Sequence, residues 1–274
     1  MAPGLYLVAT PIGNLRDITL RALDVLAAAD LVLAEDTRVS AKLLTAYRLA
    51  KRVERYDEHA AARVTPKIMA SLAGGARIAL ISDAGTPLVS DPGYRLALEA
   101  IAAGVQVFPI PGASAALAAL SVAGLPTDRF LFAGFPPPKS AARRSFLQEL
   151  KGVRATLILF EGASRLGASL ADMAEVLGAR PAAVARELTK LHETLVRGDL
   201  ASLAADPKLA APKGEVVVVI GPPADIAAEP ADADAALAEA LVRLSPADAA
   251  REVADALGLP RRDLYRRALS LQGR

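Results

Sequence analysis

The sequence predicts an α/β protein: two α/β domains, the first with a mostly parallel sheet, the second with a mixed sheet, followed by a small helical tail. Three observations carry this. Short apolar runs alternate with helical spacing through the first 125 residues, the pattern of repeated βαβ units. Beyond Leu125-Pro126 strand-like runs follow one another with fewer helices between, which implies antiparallel pairs. The last fifty or so residues lose the strand pattern, beginning with an acidic stretch rich in Ala and Pro.

In order, the expected strands of the first part are Leu5–Ala9, Leu31–Glu35, Arg52–Tyr56, Arg77–Ile81 and Val105–Ile110. The expected helices are Leu20–Ala28, Val39–Leu49, Val64–Leu72, Tyr94–Ala102 and Ala113–Ala123. The second part predicts strands Phe130–Gly134, Thr156–Phe160, Ala182–Glu187, His192–Arg197 and Glu215–Ile220, with helices Ala141–Leu150 and Leu166–Leu177. Ser245-Pro246 supplies an N-cap and a first-turn proline for a helix closed by Gly258, and a last helix from Pro260 carries Arg261, Arg262, Arg266 and Arg267. The domain limits expected are 1–124, 125–221 and 222–274.

Composition narrows the chemistry. The chain has 274 residues, 53% of them hydrophobic and 4% aromatic, so its core is mostly aliphatic. A formal charge of +2 excludes a histone-like protein, and the lack of any cysteine excludes disulfides, thiolate metal sites and a cysteine nucleophile. His59 and His192 lie far apart, so no histidine metal cage is expected. The start, Met1-Ala2-Pro3-Gly4, has no basic region or cleavage signature. Ala100–Thr127 is free of charge, but Gln106, Pro109, Pro111 and Gly124 interrupt it, so it predicts strand, turn and buried helix rather than a membrane span. A soluble, cytoplasmic protein is expected.

Chemistry concentrates at three strand ends that enter loops of small residues: Thr10–Leu15, Ser82–Gly93 and Pro109–Ser114. Dinucleotide, Walker and nucleophile-elbow motifs do not occur. Any one such loop is explained by a tight βα turn, but the second is longer than such turns usually are. Together they predict a backbone-lined pocket beyond the carboxyl ends of a parallel sheet. Gly85 and Gly112 are expected to allow close ligand approach or a positive φ. Asp36-Thr37-Arg38 and Ala185–Lys190 add charges at other strand ends. Asp36, Asp83 or Lys190 could take a proton, in no fixed order, unless each serves as a cap or salt bridge. Arg38, Lys139, Arg143, Arg144, Arg186 and Lys190 are candidate contacts to phosphates, with the arginines of the two C-terminal helices, which faintly suggest a helix-turn-helix, as another. For each basic patch a solvated helix face is an equally ordinary explanation.

Val8–Leu15, Ala34–Arg38, Ile81–Gly93, Phe132–Pro137, Ala185–Lys190 and Gly214–Ile220 together resemble the motifs of the ribosomal RNA small subunit methyltransferase I family, of the tetrapyrrole-methylase fold. The resemblance spans about residues 4 to 221. It implies S-adenosylmethionine as cofactor with no metal, a homodimer, and 2′-O-methylation of a cytidine in the decoding region of small-subunit ribosomal RNA, free or in the assembled subunit. It implies cofactor contacts from Pro11, Ile12, Asp83, Thr86, Leu88, Val89, Ala113 and Ser114, and from Phe160, Ala185 and Val218. The chain departs from the family at Phe160–Arg165, where Ser164 stands in place of a histidine. A small tetrapyrrole-like acceptor and a non-catalytic role in ribosome assembly are the alternatives; the basic motifs speak against the first and the three cofactor loops against the second.

Overall fold

The structure, a computed structural model, describes residues 1–224, 230–257 and 259–272. Five strands, β1 (Gly4–Val8), β2 (Leu31–Ala34), β3 (Val53–Arg55), β4 (Arg77–Ile81) and β5 (Val107–Ile110), form the first sheet in the order β3-β2-β4-β1-β5. Every neighbouring pair is parallel. Helices α1 (Leu20–Ala28), α2 (Thr37–Ala46), α3 (Glu58–Ala73), α4 (Tyr94–Ala102) and α5 (Ala115–Ala123) connect them or lead out of the sheet. Because helices cover a parallel sheet, its central strands are largely apolar: Leu5, Leu33, Ile78, Leu80 and Ile81 are all at most 1% exposed, while the edge strand β3 carries Glu54 and Arg55.

Among the helices that depart from their expected limits, two do so for clear local reasons. α3 begins earlier than expected because Asp57 caps it, accepting the Ala60 amide hydrogen at 2.7 Å, and it carries Pro66 in its interior. α2 begins at Thr37 because Asp36 is its N-cap.

The second sheet holds β6 (Phe130–Gly134), β7 (Thr156–Gly162), β8 (Pro181–Arg186), β9 (Thr194–Asp199) and β10 (Glu215–Ile220) in the order β6-β7-β10-β8-β9. β6 and β7 run parallel and the remaining pairs antiparallel, as expected of a mixed sheet. Along β10 side chains alternate between faces: Val216, Val218 and Ile220 join the core under α6 (Ser140–Leu150) and α7 (Leu166–Leu177), while Val217 and Val219 pack toward α5. A short helix, α8 (Leu200–Ala205), escaped the sequence reading, although Asp199 and Ser202 form a reciprocal capping box at its start.

Both sheets belong to one compact unit, Met1–Pro222. A second unit, Pro223–Arg274, contains α9 (Pro230–Leu241), α10 (Pro246–Leu257) and α11 (Arg261–Gln272) around Ala233, Leu237, Ala249, Val253, Leu264 and Ala268. Ser245 caps α10 as expected, accepting the Asp248 amide hydrogen at 3.3 Å. The expected stop at Gly258 and residues 225–229 of the acidic stretch lie outside the described residues.

Candidate functional site

The three small-residue loops are stitched into one wall. Thr10 and Gly85 exchange backbone hydrogen bonds of 2.8 and 3.0 Å, and the Thr10 hydroxyl donates to the Ser82 carbonyl at 3.1 Å. The Thr86 hydroxyl donates to the Ala113 carbonyl at 3.2 Å, tying the second loop to the third. Gly85 has φ +84°, as expected of a residue the turn could not otherwise hold. Gly112 does not have a positive φ. A Cβ there would stand 2.9 Å from that of Ala9, so this glycine serves close packing of two loops rather than approach of a ligand. Strain collects here as well. Leu88 and Ser90 in the second loop, and Glu187 and Thr189 after β8, are four of the five non-glycine residues with positive φ among those described. Such backbone persists only where its surroundings impose it.

Facing this wall is the end of the second sheet, and between them lies a cavity of about 380 Å³. Ile12, Asp83, Thr86, Val89, Asp91 and Ser114 line one side; Phe135, Phe160, Glu161 and Val217 line the other. Phe135 and Phe160 meet edge to face at 5.4 Å between ring centres. Ser114 caps α5 by accepting the Leu117 amide hydrogen, which sets the start of that helix at the cavity edge. Burial pushes the Asp91 carboxyl up to about 6, with nearby Asp83 adding to the effect and the Ser82 hydroxyl opposing it.

Other expected contacts fall elsewhere. Val218 is fully buried on the opposite face of β10, in the core under α6 and α7; its neighbour Val217 forms the cavity wall, a consequence of the two-residue period of a strand. Ala185 pairs with Val217 across the sheet and is buried behind the wall. Leu88 turns toward the core of the first sheet, and Ala113 takes part through its carbonyl. Pro11 lies in an adjoining, smaller cavity.

The three candidate proton acceptors separate. Asp36 caps α2 and binds the Arg38 guanidinium at 2.6 Å, and those hydrogen bonds hold its carboxyl far below the ordinary range. Lys190 contacts Glu187 at 2.9 Å and Glu215 at 3.1 Å. Burial alone would lower its pKa, but the two carboxylates outweigh it, and the amine stays a cation rather than a base. Asp83 lines the cavity, and its Oδ1 accepts the Asp36 amide hydrogen at 3.0 Å.

The candidate phosphate contacts divide likewise. Arg143 is 3% exposed, with Nη2 2.6 Å from Asp172 and Nη1 donating to the Pro138 carbonyl at 3.0 Å, so it is a buried structural cation and not a surface for RNA. Arg144 is bound to Asp172 and Glu175, each at 2.8 Å. Arg186 spends its guanidinium on Thr194, the Lys213 carbonyl and His192, joining β8 to β9. Lys139 and Arg38 remain exposed, Arg38 beside Asp36. The sequence reading missed Phe135, Glu161, Glu215 and Val217 as wall residues. They come from strand ends of the second sheet, and only strand alternation along β10 could have marked the last of them.

Residues 4–204 match the family model for tetrapyrrole (corrin/porphyrin) methylases, and residues 227–272 that for an RsmI C-terminal HTH domain. A curated relative from Mesorhizobium japonicum, named ribosomal RNA small subunit methyltransferase I, is 58% identical over 82% of this chain and 80% of its own. A relative of the same name from Erythrobacter litoralis is 52% identical over 99% of this chain and 96% of its own. The chain belongs to the ribosomal RNA small subunit methyltransferase I family. It is therefore a methyltransferase of the tetrapyrrole-methylase fold. The crystal structure of a uroporphyrin-III-C-methyltransferase from Thermus thermophilus superposes with a TM-score of 0.56 at 25% identity, over 80% of this chain and 94% of that one. The second family model gives the faint helix-turn-helix pattern of α10 and α11 a firm footing.

Proposed function

We propose that the protein transfers a methyl group from S-adenosylmethionine to a ribose 2′-oxygen of small-subunit ribosomal RNA, at a cytidine of the decoding region, in the free RNA or the assembled subunit. The observation that carries this reading is the 380 Å³ cavity walled by loops from both sheets. Its size suits a small-molecule cofactor, and its walls suit this one. Phe135 and Phe160 offer aromatic surface for a nucleobase, the start of α5 offers amide donors for a carboxylate, and Asp83 and Asp91 favour a cation. When bound, S-adenosylmethionine supplies an electrophilic methyl on a positively charged sulfur.

The residues of the chain then have to align the acceptor oxygen, keep water out and receive a proton. Asp83 is the base of this reading. Its held Oδ1 leaves the second oxygen to accept the ribose hydroxyl's proton as the new O–C bond forms and the C–S bond breaks. No step in this scheme calls for a metal. A homodimer and a cytoplasmic location complete the reading; large apolar side chains exposed on α4 and α5, among them Leu98, Ile101, Leu117 and Val122, offer material for a contact between copies. Among the described residues no helix is long and apolar enough to cross a membrane.

The test is calorimetry with S-adenosylmethionine, then transfer of labelled methyl to small-subunit RNA or to subunits, with the modified nucleotide mapped. Metal-independent binding and a 2′-O-methylcytidine in the decoding region are expected. Absence of cofactor binding, or methyl on a base or protein, overturns the assignment.

A further inference from the structure

The 380 Å³ cavity opens beside a second one of about 230 Å³, and the two share Ile12, Asp83, Ala84 and Glu215. The walls of the second cavity have a different character. Leu15 from the loop after β1 and Val39 and Leu43 from α2 line it. Leu15 is 45% and Val39 37% exposed, so an apolar lip stands open to water at the mouth of a concave site. Cations flank that lip. Lys42 lines the cavity from α2, Arg38 lies one turn before it on the same helix, and Lys190 closes the far rim against Glu215. Lys190 is set there by Gly13: a Cβ at that glycine would stand 2.5 Å from Lys190 Cγ, so the lysine stem lies directly on the first loop.

An apolar lip with cations beside it matches a flat heterocycle joined to phosphates. From the juxtaposition of these two cavities across Asp83, we infer that the smaller one receives the acceptor nucleotide, extruded from the RNA. Its base lies against Leu15, Val39 and Leu43, and its flanking phosphates meet Lys42 and Arg38. The inference rests on the methyltransferase reading and deepens it. Asp83, common to both cavities, then stands beside the ribose hydroxyl at the junction where that oxygen faces the methyl donor.

Two variants of the full chain test this. Val39→Trp fills the mouth from an already exposed position. Methyl transfer to small-subunit RNA should fall by at least about tenfold, a step of roughly 1.4 kcal/mol, while S-adenosylmethionine affinity by calorimetry stays at the wild-type value. Lys42→Ala, a change at an exposed side chain, should weaken RNA binding and lower the log–log salt slope by about 0.7 to 0.9. Wild-type transfer by Val39→Trp, or an unchanged salt slope for Lys42→Ala, overturns the inference. Failure of the wild-type protein itself to bind S-adenosylmethionine overturns the parent reading instead.

Discussion

Two regions of this chain bring aspartate and arginine together, and they differ in what the charges are for. Between α6 and α7, Asp172 is 4% exposed and receives hydrogen bonds from Arg143, Arg144 and Ser140. Burial works to raise its pKa, yet these bonds overcome it and hold the carboxyl below the usual range. Around the two cavities, by contrast, Asp83 accepts a single backbone amide hydrogen and Asp91 is pushed up to about 6. In the first region every charge is spent on the fold, and in the second the fold spends backbone strain and loop glycines to keep carboxylates available. Proximity of opposite charges in sequence does not tell these cases apart. The third partner does.

The sharpest way to break the comparison is Asp172→Ala, which leaves Arg143 buried without its carboxylate. A loss of about 3–5 kcal/mol in denaturant unfolding is expected, with S-adenosylmethionine affinity unchanged in the protein that remains folded. The same carboxyl sets an acid limit: its contribution is present above the ordinary carboxylate pKa and lost as pH falls through the lowered folded value. A mild effect would mean that the Arg143–Asp172 pair is dispensable.

Gly112→Val tests whether the loop wall is held by packing. The added side chain collides with Ala9, and destabilisation of about 1–3 kcal/mol is expected in a thermal or denaturant melt. Weakened cofactor affinity at wild-type stability would instead restore Gly112 to a direct role in binding.

A smaller effect concerns pH. Asp91 is protonated in the folded protein below about 6, and deprotonation puts a negative charge beside a cationic cofactor. Affinity for S-adenosylmethionine should rise a few-fold as pH passes upward through about 6, and Asp91→Asn should flatten the profile. The stability linked to this group has the opposite sense, falling as pH rises from 3.8 to about 6, because only the folded state still holds the proton there. A wild-type profile flat across this range removes Asp91 from the electrostatics of the site.

Arg144→Ala should change least. Its guanidinium is half exposed and already matched by Asp172 and Glu175, so the unfolding midpoint and the salt slope of RNA binding should both stay near wild type. A flattened slope would return Arg144 to the RNA surface and blur the line between the two regions.

The sequence by itself determined the strands and the wall of loops. Alternation of apolar runs with helical spacing located the ten strands, and Pro, Gly and small residues at three strand ends located one side of the cavity, because backbone geometry and solvent burial are read locally along the chain. Only the tertiary structure separated the charged residues by their partners and burial. Asp36, Asp83 and Lys190 were equal candidates until the structure gave each its partners: Arg38 and Glu187 from the same short motifs, and the Asp36 amide and Glu215 from distant ones. It decided equally that Arg143 is buried and that Val217 rather than Val218 faces the cavity. Burial and ion pairing are properties of the fold as a whole, and a shift of one residue in a strand turns a wall into a core.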